Sequence, residues 1–309
     1  MKMWGVAPRP IGGIIPPNPL GGGGKKTVEV KAIMSVTNSP SDTPATDDPA
    51  FAIASLALVG ARGGMGKLIA TKSREAGIDV RELDRPLTDE KLAKAIAGAD
   101  MVLLSVPVYA TDEVAQRIAP YMGGTQILAD VGSVKTLPIA GMTARYAGPV
   151  VGTHPLFGPA PGLSDALRVA VMDGRPGRDA WATDAVSAWC ARIGFAPFPS
   201  GAEEHDRAAA YVQGLNFVTT LAYLAAQSAG GEVQNYLTPS FTRRLAAAEK
   251  LITKDAALFT ALFEANPYSH EAVRNFRSFL NLAVGGDVDL LVRRAEAWWT
   301  AETAKKDNP

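Results

Sequence analysis

The sequence predicts an α/β protein, with a mostly parallel sheet covered by helices and then an all-helical C-terminal half. Three observations carry this. Over residues 51–84 an apolar run, a glycine cluster, a helical pattern, a second apolar run and an acid follow in order. Strand-like and helix-like stretches then alternate as far as Phe198, as a parallel sheet buried on both faces requires. From Ala202 onward only helical periodicity remains, punctuated by Gly230-Gly231, Asn266-Pro267 and Gly285-Gly286.

The first unit is the most informative. Ile53 to Val59 reads as a buried strand, Met65 to Ala76 as a helix, Gly77 as a turn, and Ile78 to Leu83 as a second strand ending on Asp84. This is the layout of a Rossmann-like dinucleotide-binding βαβ unit. Glycines let a pyrophosphate approach backbone N–H groups without a Cβ in the way, and the helix N-terminus adds partial positive charge. The segment Gly60, Ala61, Arg62, Gly63, Gly64, Met65, Gly66 is therefore the candidate phosphate turn. Its GxGxxG frame is broken, because the first glycine is Ala61, with Gly60 just before it. A glycine-rich turn with no ligand is the alternative. Asp84 lies 18 residues past Gly66, the spacing at which an acid accepts hydrogen bonds from a ribose 2′-hydroxyl. An acid there repels a 2′-phosphate, which favours NAD over NADP; the adjacent Arg85 acts in the opposite direction.

Composition bounds the rest. Length fits about two domains, and 47% hydrophobic residues is ample for real cores. Lys+Arg and Asp+Glu balance at 31 each, so neither a nucleic-acid surface nor an acidic tail is implied. One cysteine, Cys190, excludes an internal disulfide framework, and three scattered histidines offer no metal-ligand cluster. No apolar run reaches a membrane-span length, so a soluble cytoplasmic protein is expected. Residues 1–50 are rich in Pro, Gly and Ser and are expected to be a disordered tail without a signal peptide. The sheet domain is expected over 51–200 and the helical domain over 201–309.

Within the first domain, helices are expected over 88–97, 111–121 (with Thr111 as N-cap) and 180–193. Further strands are expected over 101–105, 126–131, 150–153, 169–172 and 195–198. The second domain is expected to hold helices over 202–229, 241–253, 255–264, 269–284 and 288–303. Ligands of an open parallel sheet gather at the carboxyl ends of its strands. The glycine turn, Ser105-Val106-Pro107, Asp130 to Lys135 and His154 to Pro159 all arrive there. His154 is the candidate base, since imidazole takes a proton near neutrality; the alternative is a histidine satisfied by local backbone. Ser133 is either a hydroxyl partner or a helix N-cap. Lys135 either holds an anion or is simply solvated.

Taken together, VGARGGMGKL, SVPV, DVGSVK, GTHPLFGP and EEHD resemble the prephenate dehydrogenase family, over residues from about Ala54 to the C-terminus. The likeness is to the branch often fused to a chorismate mutase, a domain not seen in this sequence. The resemblance implies NAD-dependent oxidative decarboxylation of prephenate to 4-hydroxyphenylpyruvate in tyrosine biosynthesis, with a helical domain that binds substrate and forms a homodimer. It implies His154 as catalytic base and Ser133 as the serine that orients it. Lys135 and His205 match positions kept around the substrate. The family's carboxylate-binding arginine falls on Lys250, a point charge where relatives have a fork, and Arg243 or Arg244 stand nearby as substitutes. A histidine of the first long helix is replaced by Asn216 and Phe217. These departures leave arogenate and 4-amino-4-deoxyprephenate open as substrates. A β-hydroxyacid-dehydrogenase-like enzyme would use a lysine on that helix, and Glu203 to Asn235 contains none. A non-enzymatic NAD-binding protein is the remaining alternative.

Overall fold

The β-branched and leucine-rich runs of the first half form a seven-stranded sheet in the order β2-β1-β3-β4-β5-β6-β7. The strands are β1 (Ser55–Val59), β2 (Asp79–Leu83), β3 (Met101–Leu104), β4 (Ile127–Asp130), β5 (Val150–Pro155), β6 (Arg168–Asp173) and β7 (Ala196–Pro199). The computed structural model describes residues 51–162 and 166–306; the tail expected over residues 1–50 lies outside the described residues. β1, β3, β4 and β5 run parallel, as does the β1–β2 pair. The β5–β6 pair is antiparallel, while β7 runs parallel to β6. Among the described residues of the connection (156–162 and 166–167) there is no helix to cross the sheet, as a parallel return would need.

Helices cover both faces, as continuous apolar strands demand. One face buries Ile69 and Ala70 of α1 (Gly64–Glu75) together with Val186, Trp189 and Cys190 of α5 (Ala180–Arg192). The other buries Leu92 and Ile96 of α2 (Asp89–Ile96), Ala115 and Ile118 of α3 (Thr111–Ile118), and Met142 of α4 (Thr136–Arg145). Two expectations are corrected here. Thr111 is not an N-cap but the first residue of α3, buried beneath a 3-10 turn over Val108–Ala110. Helix α4 is an addition to the expected elements; its Pro138 and Gly141 mask the periodicity. Pro138 sits in the first turn, where its missing N–H has no intrahelical partner to lose.

After β7 every described element is helical: α6 (Ala202–Ala209), α7 (Asn216–Ala226), α8 (Pro239–Thr253), α9 (Ala256–Ala265), α10 (Ser269–Val284) and α11 (Val288–Lys306). Between α6 and α7 the chain makes a π-helical turn, Ala210–Leu215, inside what the sequence presents as one long helix. α10 and α9 both pack on this turn, and α9 also reaches the 3-10 turn after β3. α6 packs on α4 and β6, so the sheet and the helices after it form one compact unit. Among the described residues no helix is long and apolar enough to cross a membrane.

The turn after β1 is where sequence and geometry agree most tightly. Gly60 has φ +86°, and a Cβ there would stand 2.2 Å from the Ser105 carbonyl oxygen. Gly60→Ala is therefore expected to cost about 1–3 kcal/mol by overpacking, in addition to the strain of a positive φ. Gly98→Ala shares the positive φ (+64°) but meets nothing within 4 Å, so it should cost distinctly less. Urea unfolding of the two variants checks the order.

Candidate active site

The sheet brings four loops to one edge, because β1, β3, β4 and β5 share a direction. The glycine turn comes first. Gly66 allows the helix to start close against the turn, since a Cβ there would lie 2.3 Å from the Gly60 carbonyl oxygen. Gly63 is the N-cap of α1, so the N–H groups of Gly64, Met65 and Gly66 in its first turn have no partner within the helix. Asp84, at the end of β2, accepts the Arg62 backbone N–H at 3.2 Å. A cavity of about 350 Å³ is lined by Gly60, Arg62, Asp84, Val106, Pro107 and Tyr109. A neighbouring one of about 660 Å³ shares Arg62 and Asp84 and adds Arg85, Lys91 and Lys94. An acid at the ribose distance, a glycine cradle and a helix N-terminus together fit a dinucleotide. Ser105 follows β3 directly and closes this turn through the contact with Gly60.

The second cluster lies at the ends of β4 and β5. His154 is inside β5 rather than after it, paired with Ala170 across the antiparallel register, and only 3% exposed. Its Nδ1 is 2.8 Å from Nε2 of His205, and the two rings meet edge to face. His205 Nδ1 is in turn 2.9 Å from Oδ1 of Asp206. Asp206 accepts the backbone N–H groups of Lys135 and Thr136, each at 2.8 Å. Burial alone would raise its carboxyl, but hydrogen bonds from His205, Thr136 and Lys135 outweigh this and hold it below the usual carboxylate range. Asn266 completes the cluster by donating its amide to the Asp206 carbonyl at 2.8 Å. Burial, then the neighbouring His205 and Lys135 charges, push the His154 imidazole well below its ordinary value.

In this geometry two residues expected near the substrate already have partners. Lys135 is fully buried, with Nζ 2.6 and 2.5 Å from the two Asp130 carboxylate oxygens and 2.7 Å from the Thr153 carbonyl. Its three donors are used, so it has none for a substrate. Burial lowers the Lys135 ammonium and raises the Asp130 carboxyl, and each partner's charge opposes that. His205 likewise has both ring nitrogens engaged, one by Asp206 and one by His154, leaving neither for a substrate. Ser133 is half-buried and has no hydrogen bond to His154; it lines a cavity of only about 10 Å³ with Gln213, Gly214, Phe263 and Asn266.

The helical cations stay apart from this cluster. Lys250 is 72% exposed and pairs with Asp255 at 3.5 Å. Arg244 lies over the Tyr223 ring, and Arg243 is exposed. None of the three touches His154 or Ser133. Asp206, Asp130 and Asn266 were given no role from sequence. A signal existed for two of them: Asp206 adjoins His205 in EEHD, and Asp130 opens DVGSVK.

Residues 56–174 match the family described as prephenate dehydrogenase, nucleotide-binding domain. The chain is 36% identical over 213 residues to a T-protein of Haemophilus influenzae, a match covering 66% of this chain and 54% of that one. Residues 56–174 thus carry the nucleotide-binding domain of the prephenate dehydrogenase family. A T-protein of Enterobacter agglomerans is 29% identical over 255 residues, covering 78% of this chain and 66% of the relative. The chain thus spans between half and two thirds of the length of the curated relatives it matches. Its fold is also that of the prephenate dehydrogenase of A. aeolicus, solved in complex with hydroxyphenyl propionate and NAD⁺. There the TM-score is 0.61 at 18% identity, over 82% of this chain and 99% of that one.

Two outcomes are expected. Lys135→Met strands the Asp130 charge in the core and should cost about 3–5 kcal/mol in urea unfolding, with Asp130→Leu in the same chain recovering much of it. The second concerns acid. Unfolded His154 takes up a proton near pH 6.5, whereas the folded ring does so only well below that. Its stabilisation is therefore complete above the unfolded value and is lost as pH falls toward the folded one. Urea midpoints measured from about pH 5 to pH 8 should drop on the acid side, and His154→Asn should flatten that drop.

Proposed function

We propose that this chain catalyses the NAD-dependent oxidative decarboxylation of a cyclohexadienyl carboxylate, with prephenate as substrate and 4-hydroxyphenylpyruvate as product. The observation that carries this reading is the buried His154–His205–Asp206 chain at the sheet edge that also holds the glycine turn. The loop after His154 returns to that turn: a Cβ on Gly64 would lie 2.9 Å from the Pro159 ring. The family match and the NAD⁺ named in the A. aeolicus structure support the cofactor assignment.

When bound, NAD⁺ supplies the hydride acceptor. The residues of the chain do the rest. The α1 N-terminus would hold the NAD⁺ pyrophosphate and Asp84 its ribose hydroxyls, with Ser105, Val106 and Pro107 beside them. His154 takes the proton of the ring 4-hydroxyl, and the Ser133 hydroxyl orients that group. Loss of the ring carboxylate is driven by aromatisation, so the protein needs to hold the acid rather than activate it. Lys250 takes that task by leaving Asp255, with Arg243 and Arg244 as the other cations of α8. The cavity at Ser133, bounded by Phe259, Leu262 and Phe263 of α9, holds only about 10 Å³, so this reading requires those side chains to give way to a substrate ring.

The helical half also presents apolar side chains to solvent: Val284 is 87% exposed, Trp298 63% and Trp299 66%. Patches of this kind mark association surfaces, and a homodimer through α10 and α11 fits them. Light scattering should give twice the chain mass, and Trp298→Glu should lower it toward one chain.

Turnover decides the rest. With NAD⁺, prephenate should yield NADH absorbance faster than arogenate or 4-amino-4-deoxyprephenate; silence with all three ends the reading. His154→Asn should lower kcat by about 10²–10⁴-fold with NAD⁺ KM unchanged. Lys250→Ala should raise the KM for prephenate far more than that for NAD⁺.

A further inference from the structure

The proton positions along the buried chain follow from its heavy atoms. Asp206 is held ionised by two backbone donors, so it only accepts, and His205 must carry its proton on Nδ1. In a neutral ring the other nitrogen, Nε2, is then a lone pair. His154 Nδ1 lies 2.8 Å from that lone pair and must be the donor. The remaining nitrogen of His154, Nε2, is left bare. In free imidazole nothing dictates this choice; here a second ring and a carboxylate dictate it.

We propose that His205, anchored by Asp206, is a positioning residue that pins the proton of His154 on Nδ1 and leaves Nε2 as the base for the substrate hydroxyl. This rests on the dehydrogenase reading above and assigns His205 a role different from substrate binding. In the step it serves, the substrate O–H bond breaks, its electron pair stays on oxygen, and an N–H bond forms at His154 Nε2. The charge that appears on His154 is then shared through the Nδ1–H donor with His205, toward the Asp206 carboxylate. Among the described residues, the other charged groups around the pair are the Lys135 ammonium and its partner Asp130, both fully buried. Asn266, at the end of α9, donates to the Asp206 backbone carbonyl and so ties α6 to α9.

The test reads the tautomer directly. The chain has three histidines, so long-range ¹H–¹⁵N spectra at about pH 8, above the ordinary histidine value, are assignable with His154→Asn, His205→Leu and His270→Asn. The wild-type spectrum should put the His154 proton on Nδ1, with a lone-pair shift for Nε2. His205→Leu should abolish that preference and lower kcat for prephenate by about 10²-fold or more. His205→Gln offers an oxygen to the same N–H, so it should keep the tautomer and stay within about 10-fold of the wild-type kcat. NAD⁺ KM should be unmoved in both. A wild-type proton on His154 Nε2 overturns the proposal, as does a His205→Leu variant with wild-type tautomer and kcat. Should His205→Leu fail to fold, the wild-type and His205→Gln spectra still decide. The spectra need no substrate, so a wrong tautomer and a wrong substrate are told apart.

Discussion

The carboxylate of Asp206 is the interaction on which the rest depends. Its two oxygens accept N–H groups at the start of α4, just past the carboxyl end of β4, while its own residue sits in the first helix of the all-helical half. Backbone donors at that position would otherwise be buried and unpaired, a cost that each hydrogen bond removes. One side chain therefore satisfies the start of α4, fixes α6 against the sheet, and orients His205. Folding and chemistry converge on the same two oxygens.

Beneath it lies a second buried charge, the Lys135–Asp130 pair. Such pairs seldom add net stability over apolar packing. What this one adds is geometry: Lys135 bonds Thr153, the residue before His154, and Asp130 accepts the Gly132 N–H at 2.8 Å. The ends of β4 and β5 are thereby tied together behind the histidine. The ring of His154 is held from one side by His205 and from beneath by this network, in surroundings that favour its neutral, proton-accepting form.

Much of this was legible in the residues. Strand after strand falls where apolar runs predict it, since a sheet covered on both faces keeps its strands apolar up to their carboxyl ends, where Asp130, Thr153 and His154 are buried. The glycine turn is readable despite its broken frame, because Gly60 and Gly66 meet backbone that no side chain would clear. Position was harder. His154 and Lys135 stand out from sequence as residues, but spacing along a chain says nothing about which atoms a side chain has already spent. Lys135 reads as a ligand until its three partners are counted. α4 stays hidden because its proline and glycine obscure a periodicity that burial of Ile139 and Met142 restores. The π turn is invisible because its hydrogen-bond register, not its composition, departs from an ordinary helix.

That turn constrains how the protein can vary. An α-helix advances by about 100° per residue, so the extra residue accommodated within Ala210–Leu215 sets the azimuth of everything that follows along α7. Excising a single amino acid there would let the segment relax into regular winding. It would also swing Phe217 out of its stack with Phe259 and present a different stripe to α9. Insertions and deletions in this lineage should thus be tolerated in the surface connections near Gly230 and Gly285, and purged from the six residues next to the site.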